Sequence, residues 1–309
     1  MLKGLKQQIK AVFTDYQKKQ NAKALEATRQ HVTAETLAEG LRDLGIRSGD
    51  VVFLHSSLKS LGFVEGGPRA VIDALCAVVG TEGTVIIPTY FLPGGTIHAT
   101  CHMADYVFDP VRCGSNLGAL PAEFLKYPGV KRSIHPTHSV SAVGKLADFI
   151  TDSHHLADSI FGTGSPWQRC IEVNGKVLGL GVSMGPITFY HTLEDKLGKA
   201  FPLPVRMAEQ FQLPCRDWEG NSISVPVVPL DPAYMPRRID NPERDDLRTY
   251  FWNEFSRMGL IHTGVVGEAK SWYIESQAFY THLECLAADG ITIYATPLEL
   301  QQRPIADSV

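Results

Sequence analysis

The chain of 309 residues is 44% hydrophobic and 20% charged, with a net charge of -4 and a sequence pI of about 6.3. That balance describes a globular protein with a sizeable core and excludes the strong basic excess by which nucleic-acid binders hold phosphates. No apolar run is long enough to span a bilayer, and the N-terminus lacks a secretion signal's apolar core. The six cysteines include no C-x-x-C pair and read as reduced thiols of a cytoplasmic protein.

Residues 1–30 stand apart. Lys3, Lys6, Lys10, Lys18, Lys19, Lys23 and Arg29 outweigh Asp15 and Glu26, while Leu5, Ile9, Val12, Phe13 and Tyr16 recur at helical spacing. A basic amphipathic helix is expected here, packed on the body or on a second copy in a homodimer. The body opens at Thr33, a good N-cap, with Leu37, Leu41 and Leu44 as a buried stripe ended by Gly45. VVFLH (51–55) reads as an interior strand and SSLKSLG as a polar loop. Pro68 starts a helix that runs to Gly80, and TVIIPTY (84–90) is the next buried strand. Residues 91–116 are irregular. A helix around 117–126, a strand over 138–144 and a helix over 145–152 follow. Ser165-Pro166 caps a helix over 166–173. KVLGLGV is a third buried strand, and TFYHTLEDKLG (188–198) forms a helix.

Prolines then break up residues 201–242, with SISVPVVPL (222–230) suiting an edge strand or hairpin. Residues 245–260 form a helix. HTGVVGEAKSWYIES reads as a strand or turn, Gly267, and a last long helix, and ITIYATP (291–297) as a final strand. Strands alternating with helices over most of the chain predict an α/β sandwich on a mostly parallel sheet.

In such sheets ligands sit beyond the carboxyl ends of strands. Polar clusters fall there: His55, Ser56, Ser57 and Lys59 after the first strand; His135, Pro136, His138 and Ser139 around another; Gly162, Gly164 and Ser165 at a helix start. Glycine and serine at helix starts suit phosphate groups. His191 and Glu194 leave the same face of a helix, and a carboxylate beside an imidazole fixes its tautomer and raises its basicity, as a general base requires. His98, Cys101, His102 and Cys113 are metal-compatible residue types at irregular spacing, so no metal is expected. His154-His155 reads as a solvated helix end.

Taken in order, FLHSSLKSLG, FDPVRCGSNLGAL, RSIHPTHSVSAVG, FGTGSPW, KVLGLGV, T-x-x-H-x-x-E and GVVGEAKSW resemble the aminoglycoside 3-N-acetyltransferase family, from Thr33 to beyond Gly267. The resemblance implies that family's three-layer α/β/α sandwich in a single acetyltransferase domain over 31–309. It also implies transfer of acetyl from acetyl-CoA to an amine. His191 falls where the family has its base, Glu194 at the supporting acid, and Thr188 at the threonine near the reacting carbonyl. Ser56 and Ser57, with His55 and Lys59 around them, match the loop lining the CoA site; Ser139, Gly162, Gly164 and Ser165 match other CoA-facing positions. His135 matches the family's H-P, either at the substrate or holding its own loop. An acyl-serine route through Ser56, Ser57 or Ser139 ranks second to direct attack.

The departures concern the acceptor. Family enzymes commonly carry Asn before the threonine, where Ile187 stands. The segment expected to border a polycationic substrate holds only Asp105, with Glu209, Asp217 and Glu219 as acids for another wall. The amine of an amino-sugar, nucleotide-sugar or other metabolite therefore competes with an antibiotic, and a non-catalytic CoA-binding homologue is a further alternative.

Overall fold

The computed structural model describes residues 31–302, so the helix expected over 1–30 lies outside them. Strand β1 (His31–Val32) passes into helix α1 (Ala34–Leu44) at Thr33. The Thr33 and Thr36 hydroxyls each accept from the other residue's backbone N–H, satisfying two donors that the first helical turn leaves orphaned. Strands β2 (Val51–Ser56) and β3 (Phe63–Val64), helix α2 (Gly67–Val79) and strand β4 (Thr84–Pro88) follow. Next come α3 (Ile97–Cys101), α4 (Ala119–Phe124), β5 (Lys131–Arg132), β6 (Val140–Gly144) and α5 (Ala147–Thr151). Helix α6 (Pro166–Glu172) has the expected cap, with Ser165 Oγ accepting from the Gln168 N–H at 3.2 Å. Then come β7 (Lys176–Leu180), a 3-10 turn over Thr188–Tyr190, and α7 (His191–Leu197). The proline-rich stretch carries the expected hairpin, β8 (Phe211–Arg216) against β9 (Ser222–Val227), as a sheet of its own. The chain closes with α8 (Asp245–Arg257), β10 (His262–Val266), β11 (Ala269–Glu275), α9 (Ser276–Ala288) and α10 (Pro297–Gln302).

The 7-stranded central sheet has the order β10-β11-β7-β2-β4-β6-β5. Strands β7, β2 and β4 pair in parallel at its centre, while β6 and β11 run against the rest. Period-two alternation splits β2 between two cores. Val52 and Leu54 face α1, α2 and α4, meeting Leu37, Leu41, Leu75 and Phe124. Val51 and Phe53 face α6 to α9, meeting Trp167, Leu193, Phe251 and Phe279. That makes the three-layer sandwich. Burying each of these large side chains contributes roughly 2–3 kcal/mol.

Two segments differ from expectation. Ala269–Glu275 is a buried strand rather than part of the last helix. Gly267, at φ 59°, makes a tight turn from β10, and Trp272, Tyr273 and Ile274 are aromatic and β-branched residues that suit a pleated surface. Trp272 also fixes Gly179 on β7, where a Cβ would stand 2.3 Å from the indole. ITIYATP is not a strand: an isolated bridge between Thr292 and Ala295 turns the chain and sends Tyr294 into the core.

Because β2, β4 and β7 are parallel, the loops at their carboxyl ends gather at one edge of the sheet. Arg132, buried beside β6, staples the loops there. Its guanidinium donates to the carbonyls of Pro110 (3.1 Å), Gly114 (3.0 Å), Thr89 (2.7 Å) and Cys113, and to Ser139 Oγ (3.1 Å).

Candidate active site

Two cavities open on that edge. The first, of 430 Å³, is bordered by Leu92, Ile97 and His98 from the irregular stretch, by His138, Phe161, Ile187 and His191, and by Arg238, Asp240 and Ile293. The second, of 420 Å³, is bordered by His55, Ser56, Ser57 and Lys59 after β2 and by Leu117 to Pro121 at the start of α4. Tyr90, Pro186 and Thr188 line both.

His191 opens α7, and Glu194 lies one turn on with its carboxylate buried. Their side chains meet with His191 Nδ1 2.8 Å from Glu194 Oε1. The carboxylate accepts, so Nδ1 carries the hydrogen and Nε2 presents a bare lone pair, the state a general base needs. Burial pushes the Glu194 carboxyl up, but the charge and hydrogen bond of His191, the Arg206 charge and the Tyr294 hydroxyl outweigh it and hold the carboxyl below its usual range. The Tyr294 hydroxyl donates to Oε1 at 2.7 Å, and Arg206 stands 3.8 Å from Oε2. Arg206 in turn pairs closely with Asp195, whose other oxygen accepts from the Phe161 N–H at 2.8 Å.

Thr188 Oγ1 accepts from the Trp167 indole N–H at 2.8 Å, which leaves the hydroxyl's own proton to donate along the wall common to both cavities. Burial pushes the Tyr90 phenol up to about 12, so it keeps its proton there too.

In the second cavity, burial drives the His55 ring down to about 3, against an opposing hydrogen bond with the Pro186 carbonyl. A carbonyl only accepts, and Nε2 is buried without a partner, so Nδ1 holds the hydrogen and Nε2 is a bare acceptor. A buried acceptor of this kind is satisfied by an N–H or O–H from a ligand or an ordered water.

Several residues expected at a ligand line neither cavity. Ser139 accepts from Arg132 and donates to the Thr89 carbonyl, a structural task behind the sheet edge. His135 Nδ1 accepts from the N–H groups of Thr137 (3.3 Å) and His138 (3.1 Å), and its ring stacks on His154; it holds its own loop. His154 is no solvated helix end: it is 1% exposed and bonded to Ser133 Oγ and the Ile160 carbonyl. Gly162, Gly164 and Ser165 line neither cavity and shape a turn at the start of α6. A Cβ on Gly162 would meet the side-chain ends of Asp158 and Ser159, Gly164 sits at φ 86°, and Phe161 beside the turn lies 5.1 Å from the His191 ring. Asp105 is exposed and does not line the first cavity, while Tyr106 and Phe108 take the buried positions of its segment. Ile187, by contrast, does line the first cavity. Asp217 and Glu219 border a separate cleft. The His98 and His102 rings lie against each other at a tilt, 4.4 Å between centroids, and among the described residues no three His, Cys, Asp or Glu side chains gather as metal ligands.

Sequence reasoning missed Tyr90, Trp167, Arg206, Asp240 and Tyr294, and named His138 without giving it a role. Trp167 and Tyr90 sit inside strings already singled out, FGTGSPW and TVIIPTY; Arg206 and Tyr294 carried no local signal.

The sequence profile described as Aminoglycoside 3-N-acetyltransferase matches residues 53–286. The chain belongs to the aminoglycoside 3-N-acetyltransferase family. Aminoglycoside N(3)-acetyltransferase III of Salmonella sp is 32% identical over 267 residues, covering 81% of this chain and 89% of that protein. Among solved structures, AAC-IIIb in a binary complex with CoASH aligns with a TM-score of 0.69 at 25% identity, covering 87% of this chain and 100% of that one. AAC-VIa bound to sisomicin aligns at 0.70 and 25% identity, covering 84% and 99%. This member of the family is an acetyl-CoA-dependent acyltransferase with the family fold, and no helix among its described residues is long and apolar enough to cross a membrane.

Proposed function

We propose that this acetyltransferase acetylates an amine of an aminoglycoside by direct transfer, with His191 as the base. The observation that carries the reading is the meeting of two cavities at Thr188, with the His191–Glu194 pair on one side only. The second cavity suits acetyl-CoA: its hydroxyls, Lys59 and the orphaned His55 Nε2 fit a ligand with amides and phosphates. The first suits the amine, with Asp240, paired to Arg238, as the carboxylate at its border and His191 in its wall.

Bound acetyl-CoA supplies the thioester carbonyl and a thiolate leaving group. An amine is mostly protonated near pH 7 and becomes a nucleophile only when it loses a proton. The amine that has shed one proton to solvent attacks; as its C–N bond forms, His191 Nε2 takes a second proton from that nitrogen, and Glu194 stabilises the imidazolium. The Thr188 hydroxyl offers its hydrogen where negative charge develops on the carbonyl oxygen. His191 then returns a proton to the departing sulfur. A serine nucleophile is less well supported: Ser57 bonds to Ser60, Ser139 to Arg132 and Thr89, and the His191 ring to Glu194.

Unpaired cysteines throughout suit work in the reducing cytoplasm. The basic, amphipathic sequence of residues 1–30 suits a homodimer contact, and a monomeric full-length chain in sedimentation would remove that part. For the reaction itself, thiol release from acetyl-CoA is followed with sisomicin as acceptor. Turnover that depends on both substrates is expected, and none across a panel of aminoglycosides would overturn the assignment.

A further inference from the structure

The carboxylate that supports His191 is held from a part of the chain the family profile does not reach. The profile ends at residue 286, and Tyr294 lies beyond it. Its hydroxyl donates at 2.7 Å to Glu194 Oε1, the oxygen that also accepts from His191 Nδ1 at 2.8 Å. Burial, with the neighbouring Glu194 charge, keeps the Tyr294 hydroxyl protonated, so it can only be the donor in this pair. The ring is 1% exposed and its backbone is tied down on both sides. The Ile293 carbonyl accepts from the Ile239 N–H at 2.9 Å, and Arg244 donates to the Tyr294 carbonyl at 3.3 Å and to Glu299 at 2.8 Å. Ile293 itself lines the amine-side cavity.

We propose that Tyr294 is a positioning residue of the acetyl transfer. It locks the Glu194 carboxylate in the rotamer that meets His191 and draws negative charge from the shared oxygen, and so sets the basicity of His191. The proposal rests on the reading of His191 as the base. The sign follows from the geometry. Without the phenolic donor, Oε1 holds more charge, binds the His191 N–H more strongly and stabilises the imidazolium. The protonated ring then persists to higher pH.

The test is the pH profile of kcat/KM for Tyr294→Phe, with sisomicin as acceptor. The expected result is an acid limb moved up by about 0.5–1 pH unit. A roughly tenfold drop in kcat near pH 7 should accompany it, with KM for acetyl-CoA unchanged. A loosened fold would lower activity without moving the limb, and an unmoved limb overturns the proposal. Site-specific 3-fluorotyrosine at position 294 strengthens the donor without removing an atom from the core. It should move the limb down, and it carries the test should Tyr294→Phe not fold. In a Glu194→Ala background the tyrosine change should have no further effect on kcat, and a full additional loss there would also overturn the idea. If His191→Ala retains wild-type turnover, the base assignment has failed; if it is inactive while Tyr294→Phe keeps the parent profile, only the present inference has.

Discussion

The two cavities that meet at Thr188 are alike in size and unlike in chemistry. The amine side gathers His191, His138, His98, Arg238 and Asp240 among aromatic and aliphatic walls. The CoA side offers Ser56, Ser57, Lys59 and one neutral imidazole, with the first turn of α4 beside them. On the proposed reading, proton handling belongs to one side and the other holds the acyl donor. Substitutions on the amine side should therefore act on kcat, and those on the CoA side on the affinity for acetyl-CoA.

The sharpest way to break this contrast is His191→Ala. It should lower kcat by about 10²–10⁴-fold, as loss of a general base does. Calorimetry should give the same affinity for CoA as the parent, and a matching loss of that affinity would show that the division is wrong. Thr188→Val comes next, since Thr188 belongs to both walls. Removal of one donor to the developing oxyanion costs about 10²–10³ in kcat, and the Trp167 N–H left unpaired costs about 1–3 kcal/mol of stability, read as a lower midpoint in urea. Retained turnover with that stability loss would move the oxyanion donor elsewhere, with the Tyr90 phenol the next group to test. Smaller again is His55→Phe. Losing one acceptor should weaken acetyl-CoA binding by about tenfold, leaving kcat within twofold at saturation; an unchanged KM would mean that Nε2 meets only water.

A last prediction concerns stability. Burial drives His135 and His138 well below 6.5, and His55 and His154 to about 3, with neighbouring positive charges adding to the effect for His135 and His138. The unfolded chain binds protons at these rings from about pH 6.5 downward while the folded chain does not. Stability is therefore complete above that pH and falls below it, by up to about 1.4 kcal/mol per unit for each ring. Thermal melts should drop from pH 7.5 to 5.5. A flat midpoint over that range would mean that these rings take up protons inside the fold.

The sheet, the caps and the His191–Glu194 pair were legible because their signals are local. Thr33 and Ser165 announce helix starts, VVFLH and TVIIP read as interior strands, and His191 and Glu194 are a helical turn apart. What stayed hidden depends on distant chain. Ile-Thr-Ile-Tyr alternates like a strand, and only its packing against α7 shows that Tyr294 serves Glu194 instead. The FGTGSP loop has the composition of a phosphate-binding turn, yet its glycines line neither cavity and its Phe161 lies against His191. His135 and Ser139 carry motif-like polarity that Arg132, Thr137 and His154 consume inside the protein. Asp105 is exposed outside the first cavity's lining, while Tyr106 and Phe108 take the buried positions of its segment.

The partition made by Tyr90, Pro186 and Thr188 bears on how such an enzyme can diversify. Most of the amine-side wall comes from segments that contribute nothing to the thioester side, notably residues 230–240 and Ile293. Acceptor range can then drift by exchange of those residues while acyl-donor recognition is inherited intact, and a lineage can meet a new antibiotic without rebuilding its grip on the donor.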